Sequence, residues 1–211
     1  MTAPIIHIVD DDRSYRTSVS RLVEAASFRW ACYESATEFL ERLPIQGPGC
    51  VLLDLQMPGL SGLELQDRLA QAAPLLPVVF LTGHGNVEVF VRAMKAGAED
   101  FLEKSAPGER LLETIRRALL RYDANASQHD RVSELQALVA SLTPREAVVF
   151  DLVVRGNRNK EVAYHLGTSE RTIKAHRHNL MEKLRVRSLA EAVSIAEKLG
   201  MLNSRTRPAD R

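Results

Sequence analysis

The chain has 211 residues, of which 45% are hydrophobic and 26% are charged. This composition is typical of globular proteins, and the length suits two ordinary domains better than one. No stretch approaches the roughly 20 apolar residues that a membrane span requires. The N-terminal residues lead into an apolar run without a basic leader or a cleavage site. We therefore expect a cytoplasmic protein with no membrane partner.

Charge is distributed unevenly along the chain. Residues 1–121 carry 13 Lys and Arg against 16 Asp and Glu, a net charge of −3. Residues 122–141 have a net charge of −2, whereas residues 142–211 carry 14 basic against 8 acidic residues, a net charge of +6. The acidic part suits a metal ion and a phosphodonor, and the basic part suits a polyanion. Because basic surfaces are often only solvated, charge alone does not establish nucleic-acid binding.

Short apolar runs alternate with helix-like stretches over the first 121 residues. The runs cover 5–9, 29–33, 50–54, 78–82 and 100–104, and the helix-like stretches lie near 14–26, 35–43, 61–71, 86–96 and 109–121. This alternation predicts a doubly wound α/β domain with a five-stranded parallel sheet. Val87, Phe90, Val91 and Met94 repeat at helical spacing, and we interpret this stripe as core packing.

Chemically complementary side chains stand at the ends of four predicted strands. They are Asp10 and Asp11 after the first strand, Asp54 on the third, Thr82 on the fourth and Lys104 on the fifth. Ligands bind outside the carboxyl ends of the strands in open α/β sheets, so we expect these residues to converge. The carboxylates suit Mg²⁺, and Asp54 is the predicted nucleophile of a phosphoryl transfer. Thr82 and Lys104 suit the phosphoryl oxygens.

Each residue of this hypothesis has a role. We expect Asp11 to bind Mg²⁺ directly and Asp10 to bind it through water, while Thr82 moves toward the phosphoryl group and Phe101 packs inward in response. The alternative is that the acids cap helices or lie in solvated turns, and Asp12 fits that role before the first helix. Complementary residues at so many strand ends rarely coincide, which favours a phosphorylation switch.

Residues 122–141 form a predicted helical linker. Val132, Leu135, Val139 and Leu142 fall at alternating three- and four-residue intervals, as in a coiled-coil seam. Packing on a neighbouring domain explains the same pattern. We slightly favour packing, because a helix of this length is marginal alone.

Residues 142–202 are predicted to form an all-α domain of four helices. Thr143, Pro144 and Glu146 have the pattern of a capping box with proline at the first helical position, and Gly156 ends that helix. The other helices are predicted at 160–166, 170–185 and from 189 to 199. The tight turn between the first two of them makes a helix-turn-helix. Residues 203–211 are predicted to be a disordered tail.

The third helix of this domain has two distinct faces when its residues are placed at about 100° intervals. Its buried stripe is Ile173, Leu180 and Leu184. Its outward face, which suits the major groove of DNA, contains Arg171, Lys174, Ala175 and His178, and the flanking positions suited to phosphates are Lys160, Thr172, Arg177 and Lys183. Any one of these residues is equally explained by a solvated surface, but the whole array with its positive charge favours DNA binding.

Two parts of the chain resemble known families. The segments VDDD at 9–12, LLDLQMPGLSGLEL at 52–65 and LTGHGNVEVFVRAMKAGAEDFLEKS at 81–105 resemble a response-regulator receiver domain of the FixJ type. Residues 142–184 resemble the LuxR-type helix-turn-helix of FixJ and NarL regulators. The resemblances imply a two-component response regulator and transcription factor, with a flavodoxin-like receiver over residues 1–121.

The receiver resemblance implies phosphorylation by a sensor histidine kinase. The phosphoacceptor is Asp54, and the Mg²⁺ ligands are Asp10, Asp11, Asp54 and the backbone carbonyl of Gln56. It implies no enzymatic activity apart from Mg²⁺-dependent self-phosphorylation and slow dephosphorylation. The LuxR resemblance places Lys174, Ala175 and His178 near bases and Thr172 and Lys183 on the DNA backbone. Promoter DNA, RNA polymerase and a second copy of the phosphorylated chain are the further expected partners.

The sequence departs from the receiver pattern after the lysine. Ser105 follows Lys104, where the family usually has a proline joined through a cis peptide bond. A cis bond before a non-proline residue costs about 2.5–4 kcal/mol, so this loop is expected to be trans or strained. Gln56 and His84 match positions that influence the lifetime of the phosphate.

Two other functions stay open at this point. The three aspartates also suit a Mg²⁺-dependent phosphatase with an aspartyl intermediate, although this leaves the basic domain unexplained. Alternatively, the receiver is a phosphorylation-independent protein-interaction module that still controls DNA binding, with Ser105 as the clue. The residues do not decide whether phosphorylation releases the DNA-binding domain or dimerises the receiver.

Overall fold

The computed structural model describes residues 3–45, 47–83 and 87–202, so His84 and the predicted tail at 203–211 lie outside the described residues. The chain divides into two compact units between Ser127 and Gln128. None of the helices within the described ranges is long and apolar enough to cross a membrane.

The first unit is a parallel sheet wrapped by helices. Its strands have the order β2-β1-β3-β4-β5, and every neighbouring pair is parallel. This confirms the predicted doubly wound α/β fold. Its elements are β1 (Ile5–Val9), α1 (Arg13–Ala25), β2 (Arg29–Tyr33), α2 (Ala36–Leu40), β3 (Gly49–Asp54), α3 (Gly62–Ala72), β4 (Val78–Thr82), α4 (Val87–Lys95), β5 (Asp100–Glu103) and α5 (Gly108–Ala140).

Strands β3 and β4 are buried at every position, which is why they read as unbroken apolar runs in the sequence. Alternate residues of these strands point to opposite faces of the sheet. Val51 and Leu53 pack in the core on one face, and Leu52 and Leu81 pack in the core on the other. Asp54 therefore lies at the carboxyl end of the central strand, with a hydrophobic core on each side.

The expectation that the apolar stripe of α4 is core packing is wrong. Val87 is 77% exposed, and Phe90, Val91 and Met94 are also exposed. The buried residue of this helix is Ala93, which lies outside the predicted stripe. The stripe therefore forms an exposed apolar surface on the first unit, called here the α4 surface.

Helix α5 is longer than the helix predicted near 109–121. It runs from Gly108 to Ala140 without interruption, so the stretch interpreted as a separate linker continues the preceding helix. Leu142 is buried in the core of the second unit, and Leu135 and Val139 pack against that core. Three of the four residues of the predicted seam thus pack on a domain, which was the favoured alternative to a coiled coil.

The second unit contains the four predicted helices, α6 (Pro144–Val154), α7 (Asn159–His165), α8 (Glu170–Lys183) and α9 (Leu189–Lys198). Thr143 and Glu146 form the predicted capping box at the start of α6. Gly167, with a positive φ of 60°, lies in the turn between α7 and α8. Ile173, Leu180 and Leu184 are buried, which confirms the predicted inner stripe of α8.

His7 is buried in the sheet of the first unit, at 4% exposure. Its Nδ1 atom lies 3.1 Å from the Tyr33 hydroxyl, and its ring packs edge-on against Phe39. Its Nε2 atom has no hydrogen-bond partner among the described residues. Burial lowers the pKa of His7 from 6.5 to about 4, because the charged imidazolium would lose its hydration.

His7 is expected to make the stability of the first unit depend on pH. Between pH 6.5 and about 4, the unfolded chain binds a proton that the folded chain excludes. His7 therefore leaves the free energy of unfolding unchanged above pH 6.5. As the pH decreases through this window, the free energy of unfolding falls by up to roughly 3 kcal/mol. Urea unfolding across this pH range measures the loss. His7→Phe should show a shallower pH dependence, while His129→Gln, at an exposed position of α5, should match the wild type. Equal slopes for wild type and His7→Phe would contradict the expectation.

Candidate functional sites

The predicted acidic residues converge at the carboxyl edge of the sheet. Asp10, Asp11 and Asp54 each offer a carboxylate oxygen, and these oxygens all lie within 4.8 Å of one another. Asp10 and Asp54 are buried, whereas Asp11 is exposed. Strands β1 and β3 are neighbours, so their ends bring the carboxylates together although 43 or more residues separate them in sequence.

Lys104 neutralises two of these carboxylates. Its Nζ atom lies 2.7 Å from Asp10 Oδ2 and 3.0 Å from Asp54 Oδ2. Burial alone would lower the pKa of Lys104, but its contacts with the two carboxylates outweigh burial and raise that pKa. Burial raises the pKa of Asp10, an effect that Lys104 opposes and the nearby Asp54 charge increases. The site is therefore an electrostatic cluster that depends on a cation.

The donor set fits a divalent cation such as Mg²⁺. Carboxylate oxygens are the hard ligands that this ion prefers, and exposed Asp11 leaves one side of the cluster accessible to water ligands. Asp10 Oδ2 is buried, and its charged partner is the Lys104 ammonium at 2.7 Å. A divalent cation at the three carboxylates would likewise offset their mutual repulsion.

The loop after β3 is shaped around Asp54. The backbone N–H of Gln56 donates to Asp54 Oδ1 at 3.3 Å. Gly62 begins α3, and a Cβ atom at that position would collide with the backbone carbonyl of Asp54. The glycine therefore allows α3 to start directly against the strand that carries the predicted nucleophile.

Thr82 and Phe101 lie on adjacent strands. Thr82 is 2% exposed at the end of β4, and its carbonyl accepts a hydrogen bond of 2.7 Å from the backbone N–H of Lys104. Phe101 on β5 is partly buried, with ring centroids 6.1 Å from Phe80 and 5.5 Å from Phe90. The sequence-predicted switch residues therefore connect the acidic cluster to the α4 surface.

Ser105 is accommodated without a cis bond before it. Within the described ranges, the cis peptide bond is Leu43–Pro44, so Lys104–Ser105 is trans. The Ser105 hydroxyl donates to Glu103 Oε2 at 3.2 Å. Of the two outcomes expected for this loop, the structure has the trans one.

The outward face of α8 is exposed as predicted. Its exposed members are Arg171, Thr172, Lys174, Ala175 and His178, and Lys160 of α7 is also exposed. His178 Nε2 lies 3.6 Å from Glu182 Oε1. The N-cap of this helix is Ser169, whose Oγ accepts from the backbone N–H of Thr172.

Arg177 and Lys183 have partners inside the second unit. Arg177 Nη1 donates to Asn159 Oδ1 at 2.6 Å, and Lys183 Nζ lies 2.6 Å from Glu146 Oε2. The hydrogen bond from Lys183, followed by the one from the Thr143 backbone, lowers the pKa of Glu146 to about 2. If either basic residue contacts a phosphate, the same side chain has to serve both the phosphate and its internal hydrogen-bond partner.

Comparison with known proteins identifies both units. Residues 6–116 match the response regulator receiver domain, and residues 140–196 match the luxR family of bacterial regulatory proteins. This chain belongs to the response regulators. Its two matched regions make it a two-component regulator with a DNA-binding, LuxR-type helix-turn-helix. Regulators of this organisation are not conventional enzymes, so the phosphatase alternative loses its support.

Curated relatives of this response regulator align with it over most of their own length. It is 40% identical to the response regulator protein TmoT of Ectopseudomonas mendocina over 195 residues, which cover 92% of this chain and 89% of the relative. It is 41% identical to the transcriptional regulatory protein FixJ of Bradyrhizobium diazoefficiens over 199 residues, covering 94% and 97% of the two chains.

Solved structures of response regulators resemble the whole chain. The response regulator StyR has a TM-score of 0.80 and 42% identity, covering 93% of this chain and 100% of its own. Full-length FixJ from B. japonicum has a TM-score of 0.58 and 39% identity, covering 96% and 100%.

Sequence reasoning missed Tyr15, which lies beside the acidic cluster. Lys104 Nζ is 4.8 Å from the centroid of its ring, and burial raises the pKa of Tyr15 to about 12. The sequence signal that could have identified Tyr15 is its spacing from Asp12. An N-cap aspartate places the residue three positions later in the first helical turn, just beyond the end of β1.

Proposed function

We propose that this response regulator accepts a phosphoryl group on Asp54 from a sensor histidine kinase in the cytoplasm and thereby controls its binding to promoter DNA. The observation that carries the proposal is the convergence of Asp10, Asp11 and Asp54 at the carboxyl edge of the sheet, with the ammonium of Lys104 paired to Asp10 and Asp54. The luxR-family match of the second unit supports DNA as the target.

Asp54 is the proposed phosphoacceptor because its position suits attack on a phosphodonor. It ends the central strand, it is buried, and Lys104 contacts one of its oxygens. The three aspartates and the backbone carbonyl of Gln56 would hold Mg²⁺, which would supply positive charge against the charge of the transferring phosphoryl group. Lys104 and Thr82 bind the phosphoryl oxygens, so Lys104 exchanges one set of anionic partners for another.

The same change in the partners of Lys104 can alter the α4 surface. Lys104 and Phe101 belong to one short segment around β5, and the Lys104 backbone is hydrogen-bonded to Thr82. Phe101 contacts Phe90, a member of the α4 surface. A shift of Thr82 toward the phosphoryl group therefore changes the packing beneath Phe90.

A second copy of the chain is the proposed occupant of the α4 surface. Fully burying an exposed aliphatic or aromatic side chain contributes about 1.5–3 kcal/mol. Val87, Phe90, Val91 and Met94 are 77%, 41%, 40% and 37% exposed, so the two copies of this surface in a dimer together supply roughly 6–12 kcal/mol at most. Association costs about 4–15 kcal/mol. Because these values nearly cancel, a small change in packing is enough to switch between monomer and dimer.

Two second units held in one dimer would engage paired half-sites on DNA. Lys174, Ala175 and His178 are proposed to approach bases, with Arg171 on the same groove-facing side of α8. Lys160, Thr172, Arg177 and Lys183 are proposed to contact phosphates. Arg177 would contact a phosphate while it keeps its hydrogen bond to Asn159, and Lys183 would do so while it keeps its contact with Glu146. RNA polymerase is a further proposed partner at the promoter.

Phosphorylation is expected to depend on Asp54. The wild type, incubated with Mg²⁺ and acetyl phosphate, should gain one phosphoryl group by intact mass spectrometry, whereas Asp54→Asn should gain none because the amide is not a nucleophile. Asp123→Asn, at an exposed position of α5, is the matched control and should behave as the wild type. A phosphorylated Asp54→Asn protein would refute the assignment. Repeated turnover of the donor without a stable stoichiometric product would favour the phosphatase alternative.

Phosphorylation should also increase dimer formation and DNA affinity, measured by light scattering and by fluorescence anisotropy on a DNA site selected with the wild-type protein. Val91→Glu should accept the phosphoryl group yet stay monomeric, because it places a charge on the α4 surface. If DNA affinity rises while the oligomeric state stays unchanged, release of the DNA-binding domain replaces dimerisation. If neither changes, the receiver acts independently of phosphate.

Lys174 is expected to contribute directly to DNA binding. Lys174→Ala should weaken binding to the selected site by about tenfold to a hundredfold, as for the loss of a base contact. Lys198→Ala removes a lysine of equal charge from α9 and is the control. Affinity measured at several salt concentrations separates the roles: a phosphate contact would lower the salt slope by about 1. Unchanged affinity for Lys174→Ala would contradict the proposed interface.

A further inference from the structure

Tyr15 is held in place beside the acidic cluster. Its backbone N–H donates to Asp12 Oδ1 at 3.2 Å in the first turn of α1. Its side chain is partly buried and packs against the hydrophobic core formed on one face of the sheet by residues such as Ile8 and Leu52. The ring therefore presents a fixed apolar surface at the end of β1.

The ammonium group of Lys104 is held from three directions. Asp10 and Asp54 contact it at 2.7 and 3.0 Å, and the Tyr15 ring lies beneath it at 4.8 Å from the ring centroid. An aromatic face attracts a cation at this distance through its quadrupole. Because Lys104 is only 20% exposed, water competes weakly for these contacts.

We propose that Tyr15 is a positioning residue that holds Lys104 against Asp10 and so raises the Mg²⁺ concentration needed to occupy the cation site. The inference rests on the proposed function, since it concerns the same Mg²⁺ site. Lys104 occupies one oxygen of Asp10 and one of Asp54, and the same two carboxylates would hold Mg²⁺. Because two positive charges repel at a partly buried site, a bound divalent cation would weaken the contacts of the ammonium with Asp10 and with the ring.

This role differs from ordinary core packing in what it predicts. A packing residue affects the stability of the fold, and its loss loosens the site and weakens cation binding. A residue that holds the competing ammonium does the opposite, because its loss releases Lys104 and strengthens cation binding. The effect must also disappear when the ammonium itself is removed.

The Mg²⁺ dissociation constant of the full-length chain, measured by isothermal titration calorimetry, tests the proposal. Tyr15→Leu removes the aromatic face and should bind Mg²⁺ about threefold to tenfold more tightly. Tyr15→Phe retains the face and should bind as the wild type does. In a Lys104→Met background, Tyr15→Leu should leave the dissociation constant unchanged. Tyr15→Met provides a second aliphatic variant if Tyr15→Leu does not fold by circular dichroism.

The outcomes separate this inference from the proposed function. Wild-type protein that binds no Mg²⁺ would refute the cation site and with it the proposed phosphorylation chemistry. Wild-type binding with unchanged or weaker affinity in the aliphatic variants would overturn the role of Tyr15 alone. The same tightening with and without Lys104 would also overturn it, because the effect would then not pass through the ammonium.

Discussion

A single ammonium group between two buried carboxylates organises the carboxyl edge of the receiver. Asp10 and Asp54 come from neighbouring strands, and their negative charges would repel each other in a partly desolvated site. Lys104, reaching back from the end of β5, offsets both charges. The cluster is therefore stable only with a cation in it, and any ligand that binds there must replace or redirect the lysine. This requirement would make the site responsive to the phosphorylation proposed for Asp54.

The position of Lys104 also determines what the site can influence. The lysine follows β5 directly, and β5 carries Phe101 against Phe90 of α4. A charge rearrangement at the edge of the sheet is thus only a few residues from an exposed apolar surface. In the second unit, the Lys183–Glu146 pair similarly connects the end of α8 to the capping box of α6. It fixes the helix that presents Lys174 and His178 to solvent.

The largest errors of sequence interpretation concern surfaces rather than elements. The α4 stripe has the periodicity of a buried face, yet Ala93 faces the core and the larger residues face solvent. Periodicity shows that apolar residues share one side of a helix, but it does not show what covers that side. The continuity of α5 was not predicted for a related reason. The segment after Arg121 contains no glycine or proline to stop a helix, so α5 continues to Ala140.

Three features were predictable from the amino-acid sequence alone. They are the alternation of strands and helices along the chain, the convergence of Asp10, Asp54 and Lys104, and the inner stripe of α8. They follow from local patterns, because apolar runs make buried strands and the carboxyl ends of parallel strands share one edge. Only the tertiary structure shows three other features. They are the pairing of Lys104 with both carboxylates, its contact with Tyr15, and the internal partners of Arg177 and Lys183. Each joins residues far apart in sequence through side-chain distances of a few ångströms, which depend on how whole elements pack and leave no periodic signal.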